Sequence, residues 1–147
     1  MTTEQIIVRR MEPRDEKYVI AIDQKIVGPE RAESWQQRVF AYLERYYPPI
    51  SHVAEVGGKV VGFIIGDVRG WEYGMPSGAW VDIMGVDPDY QGSGIGKRLV
   101  EAFVEQCRAQ RIKTVHTWTR EGDERLQRFF QTSGFKKGSL VEYARDV

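Results

Sequence analysis

The apolar positions change period along the chain, and each change marks an element. Ile6, Ile7 and Val8, ahead of Arg9 and Arg10, form a short β-branched run that reads as a first strand. Pro13, Asp15 and Glu16 then open a helix with Tyr18, Val19, Ile22 and Ile26 at helical spacing, and Gly28 and Pro29 stop it. Ser34 can cap a second helix that carries Val39, Phe40, Leu43, Tyr46 and Tyr47 and ends at Pro48 and Pro49. Its cluster of Tyr42, Tyr46 and Tyr47 reads first as helix packing. The period then falls to two. Residues 52–56 and 59–68 flank Gly57 and Gly58, whose access to positive φ suits a two-residue hairpin turn. Residues 69–78 hold three glycines, Pro76, Trp71, Glu72 and Tyr73 and form a loop, in which Glu72 reads as a solvated carboxylate.

The rest of the chain is organised around residues 81–104, VDIMGVDPDYQGSGIGKRLVEAFV. Residues 81–86 are apolar enough for a buried strand, and Pro88 ends it by removing a backbone donor. Glycine occupies every second position at 92, 94 and 96. From about Gly94 the apolar residues Leu99, Val100, Phe103, Val104 and Cys107 follow helix spacing. A strand, a glycine-rich loop and a helix in succession leave unpaired N–H groups at a helix N-terminus, where they and the helix dipole favour an anion such as phosphate. Two common phosphate loops do not fit. G-x-G-x-x-G needs its third glycine one place later than Gly96, and a Walker loop needs glycine and a hydroxyl where Gln91 and Arg98 stand.

Beyond this helix Arg111 occupies a turn position often filled by glycine, and residues 114–119 resume strand alternation. Asp123 can cap a last helix through Ser133, with Leu126, Phe129 and Phe130 inward and Gly134 at its end. Residues 136–144 fit one final strand. It leaves an edge that invites pairing with a second copy, a homodimer.

Gln91, Gly94 and Gly96 match the Q/R-x-x-G-x-G/A loop of the GCN5-related N-acetyltransferases, and VDIMGVDPDY resembles that family's central strand and its exit. The Gly134-Phe135 pair after the last helix is similar to the family as well. The resemblance implies an α/β (α+β) GNAT fold: a mixed central sheet of about six strands, splayed at the central strand and flanked by about four helices. It implies acetyl-CoA as co-substrate, with the pyrophosphate on Gln91, Gly92, Ser93, Gly94, Ile95, Gly96 and Lys97. The pantetheine arm would run along Met84, Gly85 and Val86, with Asp123 and Phe130 of the last helix nearby. The first two helices would wall the acceptor site, and transfer would be direct, with no acyl-enzyme.

Acyl transfer to an amine needs a neutral nucleophile, and an alkylammonium with a reference pKa near ~10.4 must first lose a proton. Asp82 is the leading candidate base, sharing strand parity with Met84 and Val86 unless a bulge intervenes. Relatives with a late acidic residue in the fifth strand would place it near Trp118, which accepts no proton; Glu121 is a fallback, and His116 and His52 read as packed or surface histidines. Family members often carry a tyrosine acid where this chain has Phe130, and an asparagine near the start of the same helix where it has Asp123. Tyr143 is the candidate acid, with Tyr90 as a second choice.

Composition narrows the partners. At 147 residues the chain fits one domain, residues 1–147. Twenty-one basic and 21 acidic residues cancel, so no net field draws it to nucleic acid or anionic lipid, and a small-molecule or peptide amine is the better expectation. The lone Cys107 reads as packing and suits a reducing cytoplasm; no metal cluster, no run near the ~18 apolar residues of a membrane span and no signal-peptide stretch stands out. The expected activity is an acetyl-CoA-dependent N-acetyltransferase. The alternative is a non-catalytic acyl-CoA-binding sensor or interaction module, favoured by Phe130.

Overall fold

A computed structural model describes residues 5–28, 37–39, 41, 50–70 and 74–147. Its strands are β1 (Ile6–Arg10), β2 (His52–Val56), β3 (Lys59–Arg69), β4 (Gly78–Val86) and β5 (Val115–His116); its helices are α1 (Glu16–Val27), α2 (Ile95–Ala109) and α3 (Glu124–Thr132). The sheet runs β1-β2-β3-β4-β5, antiparallel up to β4, with β5 parallel to it. The second helix expected from Ser34, with its tyrosine cluster, lies outside the described residues except for 37–39 and 41, which are helical; Glu72 also lies outside them.

Each face of the sheet is sealed by the periodicity read from the chain. Leu99, Val100, Phe103 and Cys107 of α2 pack on Ala54, Val61, Ile64, Ala79 and Val81, while Val19 and Ile22 of α1 pack with Val53, Phe63 and Ile65 on the opposite face. A fully buried side chain of this size contributes roughly 1.5–3 kcal/mol, so these rows dominate the stability. Cys107 is one of them, and burial pushes its thiol up to about 11, the mark of a packing residue rather than a reactive one. Arg111 turns at φ 62, in the role expected of glycine.

Three expectations are corrected. First, β4 carries a bulge: Ile65 pairs with Ile83 but Gly66 pairs with Val81, leaving Asp82 as the extra residue. The bulge reverses the alternation. Ala79 and Val81 share a face with Met84 and Val86, whereas Ile83 faces the α1 side, so Asp82 does not follow the simple parity with Met84. Gly66 makes this arrangement possible, because a Cβ there would stand 2.2 Å from the Trp80 carbonyl oxygen and 2.6 Å from the Phe103 ring. Second, the fifth strand is two residues long rather than spanning 114–119, because it leaves β4 after the pairs Ala79↔Val115 and Trp80↔His116. Third, residues 136–147 form no strand and are exposed throughout, so the final strand expected over 136–144 is absent, while the five strands of the described residues remain in line with the mixed sheet of about six.

Candidate active site

The divergence of β5 opens a groove along β4. The Ala79 amide donates to the Thr114 carbonyl at 3.0 Å at one end of the β4–β5 pairing, and the Thr117 hydroxyl donates to the Val81 carbonyl at 3.0 Å just past its other end. Over residues 83–86 β4 is paired with β3 on one side and, among the described residues, with no strand on the other. That is the splay at the central strand that the sequence led us to expect.

The open half of β4 leads directly into the glycine loop. Asp87 is buried and anchors the exit: its carboxylate accepts from the Asp89 amide at 3.0 Å and from Lys25 Nζ of α1 at 3.0 Å. Burial pushes this carboxyl up, but the Asp89 amide and the Lys25 ammonium outweigh it and hold Asp87 below the usual carboxylate range. A short 3-10 turn, Pro88–Tyr90, follows. Gln91 Nε2 then reaches back to the Val86 carbonyl at 3.2 Å, and the Ser93 hydroxyl donates to the Tyr90 carbonyl at 2.6 Å. Gly94 caps α2 at φ 81, a left-handed conformation that costs any residue with a Cβ.

The first helical hydrogen bond runs from the Arg98 amide to the Gly94 carbonyl, and no main-chain amide of residues 92–97 is paired to main chain among the described residues. A Cβ placed on Gly92 or Gly94 would meet nothing within 4 Å. Unpaired amides at a helix N-terminus with open space above them are what a diphosphate requires, so the residues present fit the CoA pyrophosphate. Gly96 lies closer in: its Cβ position is 3.3 Å from the Phe129 ring of α3 and 3.9 Å from Met84 Cε. Loop, central strand and last helix therefore meet at one place.

The remaining candidates are dispersed. Asp123 Oδ1 accepts from the Leu126 amide at 3.1 Å, so this carboxylate is committed to capping α3. Phe130 is buried behind Phe129 in an edge-to-face series with Phe129 and Phe135. The ring beside Gly96 is Phe129, which the sequence placed inward without marking it as a site residue. Tyr143, the candidate acid, is 94% exposed on the irregular last segment and is packed against nothing. Glu121 is exposed. His52 is buried, with Nδ1 2.7 Å from the Ile50 carbonyl, in β2 rather than at the groove.

Asp82 is placed at the start of the open half. Its side chain is 8% exposed, and both carboxylate oxygens accept from Arg69 Nη2 at 2.8 Å. Arg69, at the end of β3, also lies 5.6 Å from the Trp80 ring. Trp80 stacks on His116 at 4.6 Å and meets Trp118 at 4.5 Å. Burial pushes His116 below the ordinary imidazole value, which keeps this stacked ring neutral at physiological pH. None of these partners was visible in the sequence, although Gly66 inside a strand pattern is a signal for a bulge.

The comparisons with known proteins agree with this geometry. The Acetyltransferase (GNAT) family model matches residues 19–135. The chain belongs to this family. An uncharacterised N-acetyltransferase of Methanocaldococcus jannaschii is 26% identical over 114 residues, covering 76% of this chain and 50% of that protein. A mycothiol acetyltransferase of Propionibacterium freudenreichii is 33% identical over 88 residues, 59% of this chain and 28% of its own length. This GNAT chain thus spans half or less of the curated relatives it matches. Among solved structures, aminoglycoside N-acetyltransferase AAC(6')-Iy in complex with CoA superposes with a TM-score of 0.82 at 14% identity, covering 99% of this chain and 97% of that one, a likeness of fold. Ard1 from Thermoplasma volcanium gives 0.76 at 27% identity, covering 91% and 84%.

Proposed function

We propose that this GNAT chain is an acetyl-CoA-dependent N-acetyltransferase that moves an acetyl group directly to a primary amine of a small molecule or a peptide. One observation carries the reading: the unpaired half of β4 runs straight into unpaired amides at the N-terminus of α2. Residues 92–97 would hold the pyrophosphate through main-chain donors, and residues 84–86 would take the pantetheine amides on the open strand edge. Acetyl-CoA, when bound, supplies the activated acyl thioester.

The chain's own contribution is alignment and proton traffic. A groove between two strands holds acceptor and thioester in one line, which replaces a bimolecular encounter by a fixed approach. Asp82, aimed by Arg69 and placed where the strands part, is the proton acceptor for the incoming amine. Phe130 has no proton to give and Tyr143 stands clear of the groove, so solvent returns the proton to the leaving thiolate. The same Phe130 supports a second reading, an acyl-CoA-binding module without turnover.

A thiol-release assay with acetyl-CoA against amines, polyamines, amino acids and peptides separates the two. Release that depends on an amine supports transfer and names the acceptor class. CoA binding in calorimetry with no release for any acceptor leaves the binding module.

A further inference from the structure

Trp118 is 59% exposed just past the point where β5 parts from β4, yet it is firmly backed. Its neighbour Thr117 donates to the Val81 carbonyl at 3.0 Å, and its ring lies against Trp80 with centroids 4.5 Å apart. Trp80 is buried and stacks on His116 at 4.6 Å and 20°. His116 is fitted closely in turn: a Cβ at Gly78 would stand 3.0 Å from two atoms of its ring. The result is an indole with a rigid support and an open outer side, a large contact surface that a ligand can use at little further cost in entropy.

Position and charge narrow the ligand. Trp80 also lies 5.6 Å from Arg69, which donates to both oxygens of Asp82 at 2.8 Å, so Trp118 and the proton acceptor proposed above adjoin the same ring. An acceptor whose nitrogen reaches Asp82 has this indole within the span of a small molecule. The ledge consists of two indoles and a neutral imidazole, and its cation, Arg69, comes from the chain itself and is already paired. A second cation would meet the guanidinium at the same ring, whereas a flat neutral ring can stack on the open indole face in the offset or edge geometry that aromatic pairs prefer.

We propose that Trp118 sets acceptor specificity: its open face stacks on a flat aromatic ring carried by the acceptor and thereby presents the acceptor's primary amine to Asp82. The role of Asp82 rests on the transfer reading above; the stacking does not. At the place in the fifth strand where relatives put an acidic residue, this chain thus carries a recognition surface.

Phenethylamine and cyclohexylethylamine test it, because they share the amine and its arm and differ in the flatness of the ring. In a thiol-release assay with acetyl-CoA, the aromatic amine should show a kcat/KM about threefold higher or more, the size of one stacking contact. Trp118→Ala should lower kcat/KM for phenethylamine about tenfold and erase the preference, and Trp118→Phe should restore it. Unchanged CoA affinity in calorimetry shows that both variants fold. Binding is read separately in the CoA complex of the full chain labelled with nitrogen-15, at the indole N–H resonance that Trp118→Phe removes. Phenethylamine should shift this resonance through its ring current, and cyclohexylethylamine at the same concentration should shift it much less. Equal use of the two amines, a preference for spermidine over both, or a resonance that neither amine moves overturns the proposal, and amine-dependent release then leaves the transfer reading standing. A ring-dependent shift with no release from any amine upholds the stacking and overturns the transfer reading instead.

Discussion

The two halves of β4 are built from similar residues and do different work. Residues 78–81 pair with β3, and Ala79 and Trp80 with β5 as well; they lie under Phe103 and Cys107 and leave so little space that glycine is required at 66, against the Trp80 carbonyl. Residues 83–86 are paired on one side and lead into a loop whose Gly92 and Gly94 face open space. A single bulge at Asp82 and the early departure of β5 separate the halves. The comparison teaches that one strand can anchor the core with one end and present main chain to a ligand with the other. A mutation should therefore affect stability or binding according to the half it strikes.

The largest effect is expected in the closed half. Gly66→Ala puts a methyl group 2.2 Å from a main-chain oxygen and 2.6 Å from Phe103, neither of which can yield cheaply, so we expect about 3 kcal/mol or more of lost stability in denaturant unfolding. A loss near zero would mean that the bulge and the tight half are not as described. In the open half, Gly94→Val should cost the fold only the strain of φ 81, about 1–2 kcal/mol, yet weaken CoA binding by tenfold or more, about 1.4 kcal/mol, in calorimetry. Unchanged affinity would erase the distinction between the halves.

At the junction, Asp82→Asn should lower kcat at least tenfold, about 1.4 kcal/mol in barrier, with CoA affinity little changed. Equal activity across pH would remove Asp82 from the chemistry and leave it as an anchor for Arg69.

The smallest effect is the acid dependence of stability. Burial is the leading influence on His52 and lowers it from 6.5, so the unfolded chain takes up this proton before the folded one does, and stability declines as pH falls below 6.5. Asp15 and Asp87 are held below 3.8, Asp15 because Arg9 and the Glu12 amide outweigh its burial, and Asp87 as described above. Their contributions are full above 3.8 and vanish as pH drops through their lower folded values. Thermal melts of Asp87→Asn should show a shallower acid limb with the limb below 6.5 intact; an unaltered acid limb would mean that the strand exit is not tied down by Lys25.

What the sequence made legible was local. The Gly57-Gly58 hairpin, the Val-Asp-Pro exit, the start of α2 near Gly94 and the Asp123 cap of α3 depend on neighbours within a few positions, and each formed as read. What it concealed depended on register between distant segments. The side on which Asp82 falls is set by the match of Gly66 to Val81, its partner Arg69 lies across β3, and the length of β5 follows from where the sheet parts. Phe129 was legible only as an inward residue of α3, because the approach of Gly96 that brings it to the site is a tertiary fact. The strand expected over residues 136–144 did not form, because an alternating pattern does not by itself supply a strand to pair with.

Hydrogen–deuterium exchange of the full chain with and without CoA tests the central claim most directly, because it reports main-chain amides one segment at a time. We predict slowed exchange on CoA addition at residues 83–86 and 92–97, with residues 78–81 protected equally in both states. Unchanged exchange over both of those segments while CoA is bound would contradict the account.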